Sequence, residues 1–170
     1  MKNEFRLANK KDIDNILSIF FSAVENMKNL GINQWDELYP NEDVIRNDIE
    51  NNKMYILTIN DTPVATIVMN EEHDKEYNDL NWKYDFKEAS GKVSIIHRVC
   101  VDPNIQGKGI GKKIVMLGEE ELIKQGYCAI RLDAFSQNPF ALKLYSCLNY
   151  LYVGDVQFRK GKFHCFEKKL

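Results

Sequence analysis

No apolar run in these 170 residues approaches the ~20 that a membrane-spanning helix needs. The stretch Met1 to Arg6 also lacks the apolar core of a secretion signal. A cytoplasmic protein without a membrane partner is expected. Positive charge is not in excess either: 23 Lys and Arg against 25 Asp and Glu leave a formal charge of −2, which argues against a general nucleic-acid binder. Cysteine is sparse and scattered. Cys100, Cys128, Cys147 and Cys165 form no Cys-x-x-Cys pair and have no histidine cluster nearby apart from His164, so reduced core thiols and no metal site are expected. Gly and Pro nowhere gather into a linker, and no repeat divides the chain. With 44% hydrophobic and 28% charged residues, this is an ordinary globular mix, and one domain over 1–170 follows.

What is present is a succession of strand and helix patterns. Residues 4–8 read as a strand, followed by an amphipathic helix carrying Ile13, Ile16, Leu17, Phe20, Val24 and Met27 on one face, with Asn9 as cap and Gly31 near its end. Pro40 and Asn41 open a shorter helix with Val44, Ile45 and Ile49 facing inward. Strands at 54–59 and 64–69 flank Asn60-Asp61-Thr62-Pro63, a hairpin signal. Residues 70–92 are charged and irregular, yet carry Tyr77, Trp82, Tyr84 and Phe86. After them come a long strand at 92–101, a helix at 112–125, a strand at 128–134, a helix at 139–148 capped by Asn138, and a closing hairpin around Lys160-Gly161. Tandem βα units result.

The chemistry concentrates at Val99-Cys100-Val101-Asp102-Pro103-Asn104-Ile105-Gln106-Gly107-Lys108-Gly109-Ile110-Gly111-Lys112-Lys113, where a strand enters a glycine-rich turn and then a helix. Glycines let a ligand approach the backbone, and a helix start offers unpaired N–H groups, so a phosphate or pyrophosphate is the natural guest. A Walker A loop is excluded: Gly107 to Gly111 is one residue short, and Lys113 stands where a magnesium-binding hydroxyl belongs. A dinucleotide fingerprint is a poorer match, since the spacing is Gly-x-Gly-x-Gly, although Asp133 sits where a ribose-binding acid is expected. On the glycines alone, an anion site and a plain turn both remain open.

Gln106 to Gly111 resembles motif A of the GCN5-related N-acetyltransferases (GNAT), and Asn138-Pro139-Phe140-Ala141-Leu142-Lys143-Leu144-Tyr145 resembles their motif B, Asn-x-x-Ala-x-x-x-Tyr. The order of elements is similar to that family's along nearly the whole chain. The chain departs where the family commonly has Gly-Phe after the tyrosine: here Asn149-Tyr150 stands there, and Asn is the next best residue for a positive φ. The resemblance implies an α/β fold, a mixed, mostly antiparallel central sheet with a splayed parallel strand pair, flanked by helices. It also implies an acetyl-CoA-dependent N-acetyltransferase acting on a primary amine of a small molecule or peptide, by direct attack in a ternary complex, as a monomer or homodimer. A catalytically silent acyl-CoA-binding module is the main alternative, and a nicotinamide-dependent oxidoreductase the lesser one.

By that resemblance the backbone of Val99, Cys100 and Val101 would pair with the pantetheine amides. Gln106, Gly107, Lys108, Gly109, Ile110, Gly111 and Lys112 would hold the pyrophosphate, and Lys113 would assist unless these lysines are merely solvated. Asn138 would cap its helix and bond pantetheine. Tyr145 would protonate the departing thiolate, the alternative being a core tyrosine. His97, at alternate positions from Val99 and Val101, would share their face and take the amine's proton, the alternative again being a packed core residue. Cys100 beside the acyl site is a lesser candidate for a nucleophile. Trp35, Tyr39, Trp82 and Tyr84 fall in segments bordering the acceptor cleft of similar proteins.

Overall fold

The computed structural model describes residues 2–84 and 91–170; Phe86 lies outside them. In chain order the elements are β1 (Asn3–Leu7), α1 (Ile13–Asn29), α2 (Glu42–Glu50), β2 (Met54–Ile59), β3 (Thr62–Asn70), β4 (Lys92–Val101), α3 (Ile110–Lys124), β5 (Tyr127–Phe135), α4 (Pro139–Cys147), β6 (Leu151–Phe158) and β7 (Gly161–Lys169). Short 3-10 turns at Lys10–Asp12, Lys75–Asp79 and Pro103–Ile105 complete the series. The seven strands are ordered β1-β2-β3-β4-β5-β7-β6 in one mostly antiparallel sheet, with β4 and β5 as its parallel pair. Two compact units share these elements: Met1–Met69 with Arg98–Gly118, and Asn70–His97 with Glu119–Leu170.

In the first unit the core joins α1, α2 and the inner faces of β2 and β3, through Ile16, Phe20, Ile45, Ile49, Met54 and Val68. The buried stripe of α1 is Ile13, Ile16, Ile19, Phe20 and Ala23. It is rotated from the expected one: Leu17, Val24 and Met27 are only half-buried. A small Ala23 carries little hydrophobic signal, yet it lets the helix lie close to its neighbours. Asn41 caps α2 by accepting the Val44 N–H at 3.0 Å, and the inward face carries a buried charge, Asp48, beside Ile45 and Ile49.

Asn60 and Asp61 both have left-handed backbones, φ 49° and 63°, which is the two-residue turn that matches the strands' right-handed twist. β3 therefore begins at Thr62, two residues before the expected start, and Pro63 is absorbed opposite Thr58 beside a register shift at Leu57/Thr58. In the second unit β5 pairs with β7 from Ala129↔Lys169 to Phe135↔Phe163, and β6 closes onto β7 around Arg159-Lys160. The turn at 75–84 is bound down by side chains. Trp82 Nε1 donates to the Tyr77 carbonyl at 2.8 Å, and the buried Glu167 carboxylate accepts the N–H groups of Lys83 and Tyr84 at 2.9 and 3.1 Å.

The chain's first reversal depends on Asp12, 6% exposed. Its carboxylate accepts two hydrogen bonds from the Arg6 guanidinium, at 2.8 and 2.9 Å, and a third from the Asn9 N–H at 2.9 Å. The bonded guanidinium holds the Asp12 carboxyl below its ordinary value, against the opposing effect of burial. Such a group stabilises the fold above the ordinary aspartate value near 3.9 and loses that contribution as pH falls through its lower folded value. Asp12→Ala is expected to cost about 2 kcal/mol at pH 7. Thermal melts should show the gap to the wild type closing as pH is taken below about 4; a gap independent of pH would mean that the ion pair contributes nothing.

Candidate active site

The first unit carries the end of β4, the glycine turn and the start of α3. Asp102 organises the descent, its Oδ1 accepting the Asn104 N–H at 2.9 Å, while the Gln106 side-chain amide reaches back to the Val101 carbonyl at 3.1 Å. Gln106 thus closes the turn with its side chain. Gly107 and Gly109 take φ values of 79° and 76°, and a Cβ on either would find no atom within 4 Å. These glycines serve backbone conformation and leave open space above the turn. The helix starts at Ile110, two residues earlier than expected, so Gly111 lies inside its first turn. Lys108 and Lys112 are exposed and Lys113 is half-buried. At a helix start the first N–H groups have no partner within the helix, and the dipole there favours an anion.

Within β4, Arg98 has a left-handed backbone, φ 47°, which costs a non-glycine residue on the order of 1 kcal/mol or more. The reversal breaks strand alternation, so the inference that His97 shares a face with Val99 and Val101 does not carry across it. Arg98 is held firmly. Its Nε and Nη2 donate to the two oxygens of Asp48 at 2.7 and 2.8 Å, and its Nη1 donates to the Tyr39 hydroxyl at 2.6 Å. Tyr39, expected on the acceptor side, is therefore bonded to the arginine of β4. Trp35 packs its ring 5.5 Å from Phe20, against the core of this unit.

Cys100 is buried, and burial pushes its thiol far up, which removes it as a nucleophile. Cys165 is buried as well, whereas Cys128 is half-buried and Cys147 is exposed. The expectation of core thiols is corrected for those two. Cys147 is the last residue of α4, on the side that faces water.

In the second unit Asn138 caps α4, its Oδ1 accepting the Ala141 N–H at 3.1 Å. Tyr145 lies two turns along that helix, 6% exposed, with ring centroids of Tyr150 and Phe166 at 5.5 and 6.3 Å. Burial raises the Tyr145 phenol well above its ordinary value, and the charge of Asp133 adds to the effect. The phenol therefore keeps its proton. Asn149 takes φ 64°, the conformation for which glycine is more usual. His97 Nε2 lies 3.0 Å from Asn70 Oδ1 and 3.0 Å from the Glu72 carbonyl, so in the neutral ring the proton sits on Nε2 and the lone pair on Nδ1.

Trp82 and Tyr84 are brought together by Arg131, whose guanidinium lies 4.5 Å from the Trp82 ring centroid and donates to the Tyr84 carbonyl at 3.1 Å. Next along the same face of β5 is Asp133. The buried Tyr77 hydroxyl donates to its Oδ2 at 2.7 Å, and burial outweighs that bond to push the carboxyl up to about 6. In the sequence Asp133 stands out only as a candidate ribose acid. A further signal is readable there: Arg131 and Asp133 are the two charges in an otherwise apolar strand, two residues apart. Tyr77 has no such signal, since only the folded turn brings it there.

Residues 12–150 match the model of the acetyltransferase (GNAT) family. The chain belongs to this family. S-(2-succino)cysteine N-acetyltransferase of Bacillus subtilis is 24% identical over 171 residues, spanning 99% of this chain and 96% of that relative. Among solved structures, a GNAT-family acetyltransferase from Streptococcus agalactiae has a TM-score of 0.85 at 20% identity, covering 99% of this chain and 95% of that one. The structure of yncA from Salmonella typhimurium with its cofactor acetyl-CoA has a TM-score of 0.71 at 18% identity, covering 99% and 94%. The GNAT fold accounts for both sequence motifs, and the dinucleotide alternative falls away.

A raised carboxyl has a cost in stability. Its folded value lies above the ordinary 3.9, so the contribution is full below about pH 4 and is lost as pH rises through about 6. Asp133→Asn, which cannot ionise and keeps an acceptor for Tyr77, is expected to stabilise the protein by up to about 3 kcal/mol at pH 7.5, since each tenfold change in proton affinity corresponds to about 1.4 kcal/mol and the rise from 3.9 to about 6 is roughly a hundredfold. The gain should vanish near pH 4. Equal melting temperatures for the two proteins at pH 7.5 would show that Asp133 ionises there without penalty.

Proposed function

We propose that the protein transfers the acetyl group of acetyl-CoA to a primary amine, by direct attack while both substrates are bound. The observation that carries this reading is the pairing, in a GNAT chain, of an open glycine turn at the start of α3 with a capped α4 that carries a buried, protonated tyrosine. Backbone N–H groups of residues 107–112 hold the pyrophosphate, helped by Lys108 and Lys112. Backbone groups of Val99, Cys100 and Val101 pair with the pantetheine amides as an added strand would, and Asn138 contributes its amide.

Chemistry at the thioester requires a proton to leave the amine and another to reach the departing thiolate. Tyr145 supplies the second, because burial keeps its phenol protonated across the physiological range. We assign the first to Asp133. A carboxyl pushed up to about 6 is ionised above that pH and is a better proton acceptor than an ordinary surface carboxylate. His97, whose Nε2 is committed to Asn70 and Glu72, orients the strap that joins β3 to the 3-10 turn.

Release of CoA, measured across amines, polyamines, amino acids and aminoglycosides, identifies the acceptor. A protein that binds acetyl-CoA and turns over none of them would be the silent module. With an acceptor in hand, Tyr145→Phe should lower kcat by roughly 10²-fold and leave acetyl-CoA affinity unchanged. Gly109→Val, which forces a branched residue into φ 76°, should instead abolish CoA binding in calorimetry while the protein stays folded. The limb of kcat/KM that rises through pH 6 should disappear in Asp133→Asn and survive in His97→Ala. The opposite pattern would return the proton to His97.

A further inference from the structure

Arg98 is an unexpected residue for a left-handed position. Glycine adopts φ 47° without strain, and asparagine does so at little cost, whereas arginine has no intrinsic reason to be there. The surroundings supply one. All three guanidinium nitrogens are engaged, two by the fork of Asp48 and one by Tyr39, and the Arg98 carbonyl accepts the hydroxyl of the buried Thr66 at 3.2 Å. Asp48 is 3% exposed on α2, a helix capped and packed into the core. The side chain and the carbonyl of one strained residue are thus fixed by separate elements. Directly after it come Val99, Cys100 and Val101, and the strand's end is fixed in turn by the Asp102 N–H donating to the Val64 carbonyl at 2.9 Å.

We propose that Asp48 is a positioning residue for acetyl transfer, acting through Arg98. The ion pair holds the reversal in β4, and the reversal sets the direction in which Val99–Val101 present their N–H and C=O groups to the amide arm of the cofactor. The proposal rests on the reading that these backbone groups bind acetyl-CoA. Tyr39 extends the device: the segment that precedes α2 is bonded to the same guanidinium, so a displacement there is felt at the cofactor strand. Asp48 does not itself meet the substrate or the reacting atoms. Its contribution is a backbone direction that glycine keeps unaided and that arginine or alanine at 98 needs help to keep.

That difference supplies the test. Two double variants remove the ion pair without leaving a buried charge unpaired: Arg98→Gly with Asp48→Asn, and Arg98→Ala with Asp48→Asn. Glycine keeps the reversal unaided and alanine does not. The glycine pair should bind CoA within about 3-fold of the wild type in calorimetry, and the alanine pair about 10-fold or more weaker, with kcat at saturating acetyl-CoA falling less than kcat/KM. In the ligand-free proteins, the Val99 amide resonance should stay near its wild-type position in the glycine pair and move in the alanine pair. Equal affinities and equal Val99 resonances in the two pairs, whether both wild-type-like or both impaired, would overturn the proposal. A wild type that binds no CoA refutes the acetyl-CoA reading instead, and the Val99 resonances still decide whether Asp48 holds the backbone.

Discussion

Two strands that run side by side in the same direction cannot be joined by a tight turn. Because β4 and β5 are parallel, the chain must leave the end of β4, cross over through a helix and return. α3 is that crossover, and its N-terminus therefore follows the β4 end after only the residues 102–109. The open helix start after this turn is a consequence of topology. A strand end, a Pro-led 3-10 turn and two left-handed glycines are needed to start the helix, and a row of unpaired N–H groups results. Elsewhere in the mostly antiparallel sheet, β2–β3 and β6–β7 are joined by tight two-residue hairpins.

The interior contains several carboxylates, and their partners give them different characters. Asp12 faces a guanidinium and is held in its ionised form. Asp48 faces the Arg98 guanidinium in fork geometry, and Glu167 faces two backbone N–H groups. Asp133 accepts the Tyr77 phenol, which is too weak a donor to offset burial. The first three tie segments together. The fourth has its carboxyl pushed up to about 6 by burial, and it sits on the strand that leads to the Asn138 cap.

Much of the fold was legible because its signals are local. Asn9, Asn41 and Asn138 each stand as cap residues before apolar periodicity, and Asn60-Asp61 announces its turn. The glycine spacing and the Asn138-to-Tyr145 motif are local in the same sense. What escaped depends on residues far apart in the chain. Arg98 and Asp48 are 50 positions apart and Tyr77 and Asp133 are 56 apart, and no pattern within a window of helical or strand length links either pair. The reversal at Arg98 escaped for a further reason. A long β-branched strand reads as uninterrupted alternation, and arginine carries no signal for a positive φ. Strand alternation from His97 to Val99 and Val101 runs through a break that only the backbone reveals.

The solvent side of α4 has a practical use. Cys147 is exposed while Tyr145 is buried, and two residues at 3.6 per turn place them on nearly opposite sides of the helix. A fluorophore attached to this sulfur would stand in water, one helix diameter from the phenol. Cys100 and Cys165, sealed in the interior, would compete little for the reagent, and the half-buried Cys128 would first be replaced by serine. The chain thus carries its own attachment point for an optical probe of α4, on the face away from the tyrosine.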